Sequence, residues 1–125
     1  MKYREYQCPL TLALEIIGGK WKTLVMYHLR HGTLRTGEIR RRIPGITQKM
    51  LTQQLRELER DGLVARKTFD TVPPKVEYSL TELGVMAKPI LEAMCSWGWT
   101  YAEKHESGVV FQIKESQRPP APLSR

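Results

Sequence analysis

Ile46-Thr47-Gln48-Lys49-Met50-Leu51-Thr52-Gln53-Gln54-Leu55-Arg56-Glu57-Leu58-Glu59-Arg60-Asp61-Gly62-Leu63-Val64 is the stretch that decides the fold. At a helical step of about 100° per residue, Leu51, Leu55 and Leu58 fall within roughly 60° of one another, while Lys49, Thr52, Gln53 and Arg56 gather on the opposite side. The leucines therefore face a core and the polar set faces out. Thr47 is placed to accept a hydrogen bond from a backbone N–H left over at the helix start, and Gly62 to supply a left-handed turn just past its end. A helix with one apolar and one polar face is also what a plain surface helix looks like. The residues that follow separate the two readings.

After Gly62, two short runs rich in β-branched and aromatic residues, Leu63 to Phe69 and Lys75 to Leu80, flank Asp70-Thr71-Val72-Pro73-Pro74. That is the signal for a β-hairpin with a loop of several residues, and consecutive prolines make its tip a poor place to extend a sheet. A helix running through Asp-Gly into a hairpin is the plan of a winged DNA reader. Arg66, Lys67 and Lys75 sit where such a wing would lie along a phosphate backbone.

The chain has 125 residues, the size of one domain, with 41% hydrophobic content and a formal net charge of +7. The charge is localised. Between Lys20 and Lys75 there are 13 Lys and Arg against 5 Asp and Glu, and the rest of the chain is nearly balanced. A basic excess confined to the reading unit points to a polyanion, because Lys and Arg that neutralise phosphates release condensed counterions. A membrane surface is the competing polyanion, but no signal peptide, lipidation motif or long apolar span accompanies the charge, so a soluble cytoplasmic protein is expected. Cys8 and Cys95 stand far apart and in no metal-ligand spacing, which argues against a zinc site and a disulfide scaffold. No metal and no cofactor is expected.

Upstream, residues 1–7 read as a polar arm with Tyr3 and Tyr6 as anchors. Residues 9–17 read as a first helix ended by Gly18-Gly19, and residues 20–30 as a second that buries Trp21, Leu24, Val25 and Leu29. Thr33-Leu34-Arg35 forms a very short strand, Thr36 caps a third helix through Ile43, and Pro44-Gly45 turns the chain into the fourth. Two short helices joined by a tight turn, the second carrying the outward polar set, make a helix-turn-helix. The fold class expected is mainly α with a small β-hairpin wing (α+β). Of the run Arg40-Arg41-Arg42, Arg40 is taken as a phosphate contact, although such a run also suits a solvated face. A last helix is expected from Thr81-Glu82 to His105, kinked at Pro89. Met86, Ile90, Met94, Trp97 and Tyr101 recur on it at helical spacing, and a stripe that apolar needs a cover, for which a second subunit is the expected candidate. Residues 1–105 thus form the DNA-binding and dimerisation domain, and residues 106–125 a flexible Pro-rich tail.

Cys8-Pro9-Leu10, the segment Ile16-Ile17-Gly18-Gly19-Lys20-Trp21, the block from Gly45 to Leu58, and Val76-Glu77-Tyr78-Ser79-Leu80-Thr81-Glu82-Leu83-Gly84 together resemble the HxlR family of bacterial winged-helix transcriptional regulators. The resemblance covers residues 8–98, and several motifs in order are specific where one alone would be weak. It implies a homodimer built on the terminal helices, with each subunit presenting its recognition helix to half of an inverted repeat. It also implies repression or activation of nearby genes, and in some members a response to oxidants or electrophiles through a cysteine near the amino terminus, the position Cys8 occupies. Thr36 departs from the family's usual aromatic or small residue before the third helix, which leaves the groove entry there open.

On this reading the DNA-facing set is Gln48, Lys49, Thr52, Gln53 and Arg56, flanked by Arg40, Arg66, Lys67 and Lys75. Gln53 suits adenine N6 and N7, Arg56 or Lys49 suits guanine O6 and N7, and the Thr52 methyl suits a thymine methyl. Cys8 has two readings, a small buried thiol at a helix start or a sensing thiolate activated by that start and by Lys2 or Arg4. Cys95 lies on the apolar stripe and reads as packing. A small-molecule or oxidant effector fits this class of protein, but no residue pattern names it. Three other function classes compete, of which a protein-docking winged helix is disfavoured by the basic excess between Lys20 and Lys75. An architectural nucleic-acid binder would bind without sequence preference; an enzyme is disfavoured because His28, His31 and His105 stand beside no acid, nucleophile or phosphate loop in a known arrangement, so no catalytic residue is assigned.

Overall fold

The computed structural model describes residues 4–105, 108–113 and 115–120. The chain divides into two compact units, one up to Met86 and one from Ala87 on.

The first unit begins with α1 (Pro9–Ile17), where proline at the first turn has no N–H to leave unpaired, and it stops as the Gly18 N–H donates to the Leu14 carbonyl at 2.9 Å. No α1 residue is buried, and Leu10 and Leu14 are 64% and 60% exposed. The first helix therefore adds no fully buried residue to the core of this unit. Gly19, at φ 89°, turns the chain into α2 (Lys20–Leu29). Val25, Met26 and Leu29 are its buried residues, whereas Trp21 and Leu24 are only half-buried. Helical phase explains the difference: 22, 25, 26 and 29 are i, i+3, i+4 and i+7, so the inward arc centres between Val25 and Met26, with Trp21 about 90° and Leu24 about 150° away from it. Lys22 lies on that inward arc.

β1 (Leu34–Arg35) leads directly into α3 (Thr36–Arg42). Arg35, not Thr36, is the N-cap residue. It is already extended because it pairs with Glu77 in the sheet, and its backbone N–H donates to the Glu38 carboxylate at 3.0 Å. Ile39 and Ile43 are buried, and Gly45 takes φ 92° in the turn to α4 (Gln48–Arg60).

α4 follows the sequence pattern closely. The Thr47 hydroxyl accepts from the Met50 N–H at 3.1 Å, and Leu51, Leu55 and Leu58 are all buried. At its other end the Leu63 N–H returns to the Leu58 carbonyl and the Gly62 N–H to the Glu59 carbonyl, with Gly62 at φ 83°. This is a Schellman ending, and the positive φ explains the glycine. The hairpin follows as β2 (Val64–Phe69) and β3 (Lys75–Leu80), paired from Val64 with Leu80 to Phe69 with Lys75, in a three-stranded antiparallel sheet of order β1-β3-β2. The architecture is a winged helix-turn-helix, with α2, α3 and α4 packed together and α4 against β2.

Thr81 closes the unit. Its backbone N–H donates to the Leu63 carbonyl at 3.0 Å, its hydroxyl donates to the Gly62 carbonyl at 2.6 Å, and the same hydroxyl accepts from the Gly84 N–H at the start of α5 (Glu82–Val85). One residue thus ties the end of α4, the end of β3 and the start of α5 together.

The long last helix expected from 81 to 105 is interrupted. α5 ends at Val85, and α6 (Lys88–His105) starts afresh in the second unit with Pro89 in its first turn. A continuous helix would need the Pro89 N–H that proline lacks, and its ring would press on the Val85 carbonyl; a restart avoids both. Met86 therefore does not sit on α6, and the stripe there consists of Ile90, Met94, Trp97 and Tyr101, each 40% exposed or more. In the same unit the Phe111 ring lies tilted against that of Trp99, with centroids 4.5 Å apart, and Arg118 pairs with Glu103 at 2.8 Å near a 3₁₀ turn (Glu115–Gln117). Lys2 and Tyr3, and residues 106–107, 114 and 121–125 of the expected tail, lie outside the described residues.

Candidate nucleic-acid interface

α3, the Pro44-Gly45 turn and α4 form the helix-turn-helix, and the buried leucines of α4 fix which way its other face looks. Gln48, Lys49, Gln53 and Arg56 are exposed on that face, and Thr52 is half-buried between them. The Gln48 amide lies 3.4 Å from the Thr52 hydroxyl, a long contact that a better partner can displace. Lys49 and Arg56 make no ion pair among the described residues. Gln53 is committed: its Nε2 donates to Glu57 Oε2 at 3.1 Å, one turn further along the helix.

The flanking cations differ in how free they are. Arg40 is exposed on α3 and makes no ion pair among the described residues. On the wing, Arg66 reaches back to Glu59 of α4 at 3.7 Å, and Lys75 pairs with Glu77 at 3.2 Å. Lys67 makes no ion pair among the described residues; its ammonium and that of Lys75 lie over the Phe69 ring at 5.0 and 4.8 Å. The wing therefore offers Lys67 as its readiest cation, with Arg66 and Lys75 partly neutralised in advance.

Two acidic residues were missed when only basic and amide side chains were sought. Glu77 lies opposite both Lys67 and Arg35 in the sheet, so a carboxylate sits within the basic strip. Glu57 pairs through Oε1 with Lys22 of α2 at 3.1 Å, and Lys22 is only 11% exposed in its side chain. The hydrogen bond from Gln53, then the one from Lys22, holds the Glu57 carboxyl below its usual pKa. The i, i+4 spacing of Gln53 and Glu57 was visible in the sequence. A lysine on the inward arc of α2 was visible too, once the phase was set.

Cys8 is exposed at the N-cap of α1, so the buried-thiol reading is corrected. Arg4, offered as its activating neighbour, is engaged with Glu15 at 3.9 Å and lies over the Tyr6 ring, while the Tyr6 hydroxyl donates to Glu15. Cys95 is half-buried. Burial, then Arg42 and Arg30, pushes the His28 pKa down. Among the described residues no cluster of His, Cys, Asp and Glu is arranged to hold a metal, and no helix is long and apolar enough to cross a membrane.

Residues 16–106 match the family model described as HxlR-like helix-turn-helix. YkvN of Bacillus subtilis (strain 168), an uncharacterized HTH-type transcriptional regulator, is 51% identical over 92% of this chain and 98% of its own length. Among solved structures, the redox regulator HypR in its reduced form is 51% identical with a TM-score of 0.76, covering 80% of this chain and 99% of that one. Diamide-treated YodB from B. subtilis is 33% identical with a TM-score of 0.62, covering 81% of this chain and 97% of that one. The relatives' role as transcriptional regulators is DNA-binding and not enzymatic.

Proposed function

The chain belongs to the HxlR-like helix-turn-helix family of transcriptional regulators, and from that premise we propose that it binds one inverted-repeat operator as a homodimer in the cytoplasm. The observation that supports this most is the outer face of α4, where Lys49, Gln53 and Arg56 stand exposed over three buried leucines. That spacing suits a helix lying in a major groove, with donors and an acceptor aimed at base edges. Lys67 and Arg40 then contact the phosphates to either side, and Arg66 and Lys75 join by exchanging Glu59 and Glu77 for phosphate oxygens. Pairing of two chains is assigned to the terminal helices, because α1 exposes Leu10 and Leu14, and α6 exposes Ile90, Met94, Trp97 and Tyr101.

The test is selection from a randomised duplex pool, followed by fluorescence anisotropy at several salt concentrations against the selected duplex and a scramble. A preference of about 10³ or more for the selected duplex is expected of a specific regulator. Lys67→Ala is expected to weaken both duplexes alike and to lower the salt slope by about 1, with a smaller change for Lys75→Ala because its charge is already shared with Glu77. Equal binding of every duplex by the unmodified protein would instead establish the architectural alternative.

Regulation through Cys8 is supported by its exposure and by the redox forms of HypR and the diamide-treated form of YodB among the similar structures. Diamide is expected to change operator affinity severalfold in the unmodified protein and not in Cys8→Ser. A Cys8→Ser protein that still responds removes this thiol from the mechanism.

A further inference from the structure

Lys22, Glu57 and Gln53 form a chain that runs from the inward face of α2 to the open face of α4. Lys22 Nζ holds Glu57 Oε1 at 3.1 Å, and Glu57 Oε2 holds Gln53 Nε2 at 3.1 Å. Each carboxylate oxygen has one partner. We propose that Lys22 and Glu57 are positioning residues for base readout, fixing the Gln53 amide so that one edge of it is presented to the DNA. This rests on the reading of α4 as the recognition helix.

The chemistry of the amide makes the arrangement useful. A glutamine carries two N–H donors and one carbonyl acceptor. With one N–H on Glu57, the second N–H and the carbonyl oxygen remain, and a side-by-side donor and acceptor is what the N7 and N6 edge of adenine accepts. An untethered glutamine on an exposed helix face samples many rotamers, can present its amide either way round, and discriminates poorly. Glu57 removes that freedom, and its own freedom is removed by Lys22. The lysine also compensates the carboxylate's charge, which would otherwise stand next to a reading face that has to approach phosphates. With its ammonium drawn out of solvent onto α4, Lys22 is not there to bind phosphate itself. Stability alone does not call for it, since an apolar residue at a largely buried position serves a core as well as or better than an ion pair.

A merely structural tie between α2 and α4 would lower affinity for every duplex in parallel. A positioning role changes the profile across single base-pair variants. The experiment therefore uses the duplex selected by the unmodified full-length protein and all its single base-pair variants, with anisotropy measured for Gln53→Ala, Glu57→Ala, Glu57→Gln, Lys22→Met and Gln53→Ala/Glu57→Ala. Gln53→Ala should flatten discrimination at one base pair per half-site by roughly 10-fold. Glu57→Ala and Lys22→Met should flatten the same base pair and leave the others intact, and Glu57→Gln should retain part of the preference because its amide oxygen still accepts from Gln53. In the Gln53→Ala background, Glu57→Ala should add no further flattening. The inference is overturned if Glu57→Ala and Lys22→Met, folded by circular dichroism, keep full discrimination at the base pair that Gln53 reads. It is overturned equally if the two losses in the double variant simply add. Failure of the unmodified protein to select any duplex is a different result, which removes the recognition-helix reading and this inference with it.

Discussion

Replacing Gly84 by alanine is expected to lower the thermal unfolding midpoint by roughly 10–20 °C, an effect equivalent to about 3 kcal/mol in a domain of this size. A Cβ at Gly84 would meet the Leu63 carbonyl oxygen at 2.2 Å and the Leu80 side chain at 3.3 Å. The obstacle is backbone, so no rotamer change relieves it. The Leu63 carbonyl also accepts the Thr81 N–H, and the Thr81 hydroxyl holds both Gly62 and Gly84, so moving α5 away disturbs the whole closure at the end of α4. Overpacking of this kind costs about 1–3 kcal/mol, and a disrupted hydrogen bond adds about 1 more. Thermal melts followed at 222 nm decide the matter, and a midpoint within about 2 °C of the unmodified protein would show that α5 can shift without loss. Gly84 is glycine for close approach. Gly62 is glycine for its positive φ, and the two sit either side of the same carbonyl contact.

Much of this was legible in the sequence because local rules and tertiary structure agree. α4 has a hydroxyl cap, leucines in one arc and Gly62 at its exit, and each of those signals appears in the structure at the residue expected. The hairpin was equally plain from its β-branched runs and the intervening prolines. Where the reading slipped, a long-range partner had decided the outcome. Arg35 replaces Thr36 at the start of α3 because the sheet holds it extended opposite Glu77, which no local pattern reveals. Met26 displaces Trp21 and Leu24 from the core because the inward arc of α2 is set by what packs on it, and hydrophobicity alone ranks a tryptophan above a methionine. The break before α6 could have been placed from Pro89, since a proline favours the first turn of a new helix over the middle of an old one.

The candidate interface was legible in part for a related reason. The exposed residues of α4 follow from phase once the leucines are placed, so Gln48, Lys49, Gln53 and Arg56 could be found without coordinates. Which cations are free could not. Arg66 with Glu59, Lys75 with Glu77 and Lys22 with Glu57 each join residues far apart in sequence or on different elements, apart from the i, i+2 pair on β3. There are 13 cations between Lys20 and Lys75; the structure shows that several of them, Arg66 and Lys75 on the wing included, already carry a carboxylate. Such pre-paired cations should trade affinity for discrimination, because a non-specific duplex has to displace the same carboxylates without gaining base contacts in return.

Trp97→Asp is expected to leave the chain folded, convert it to a monomer, and lower affinity for the full inverted repeat by about 100-fold or more, while affinity for an isolated half-site stays within about twofold. Trp97 is 64% exposed and stands with Ile90 and Met94, 49% and 56% exposed, along a groove of about 650 Å³ that Pro89 and Ala93 complete. Its ring also lies 5.2 Å from that of Tyr101. Aromatic anchors of this kind carry most of an interface's free energy when covered, and an aspartate there would have to be buried without a partner. Because the side chain is largely open to solvent in the single chain, its loss removes little from the fold. The consequence for DNA follows from linkage: two joined readers bind their second half-site as an intramolecular event, and a monomer forfeits that effective concentration. Light scattering gives the mass, a thermal melt gives the fold, and anisotropy on full and half sites gives the binding. A Trp97→Asp protein that keeps the mass of a dimer would move the pairing surface away from α6. One that becomes monomeric yet holds the full site as tightly as before would show that the two half-sites are read independently.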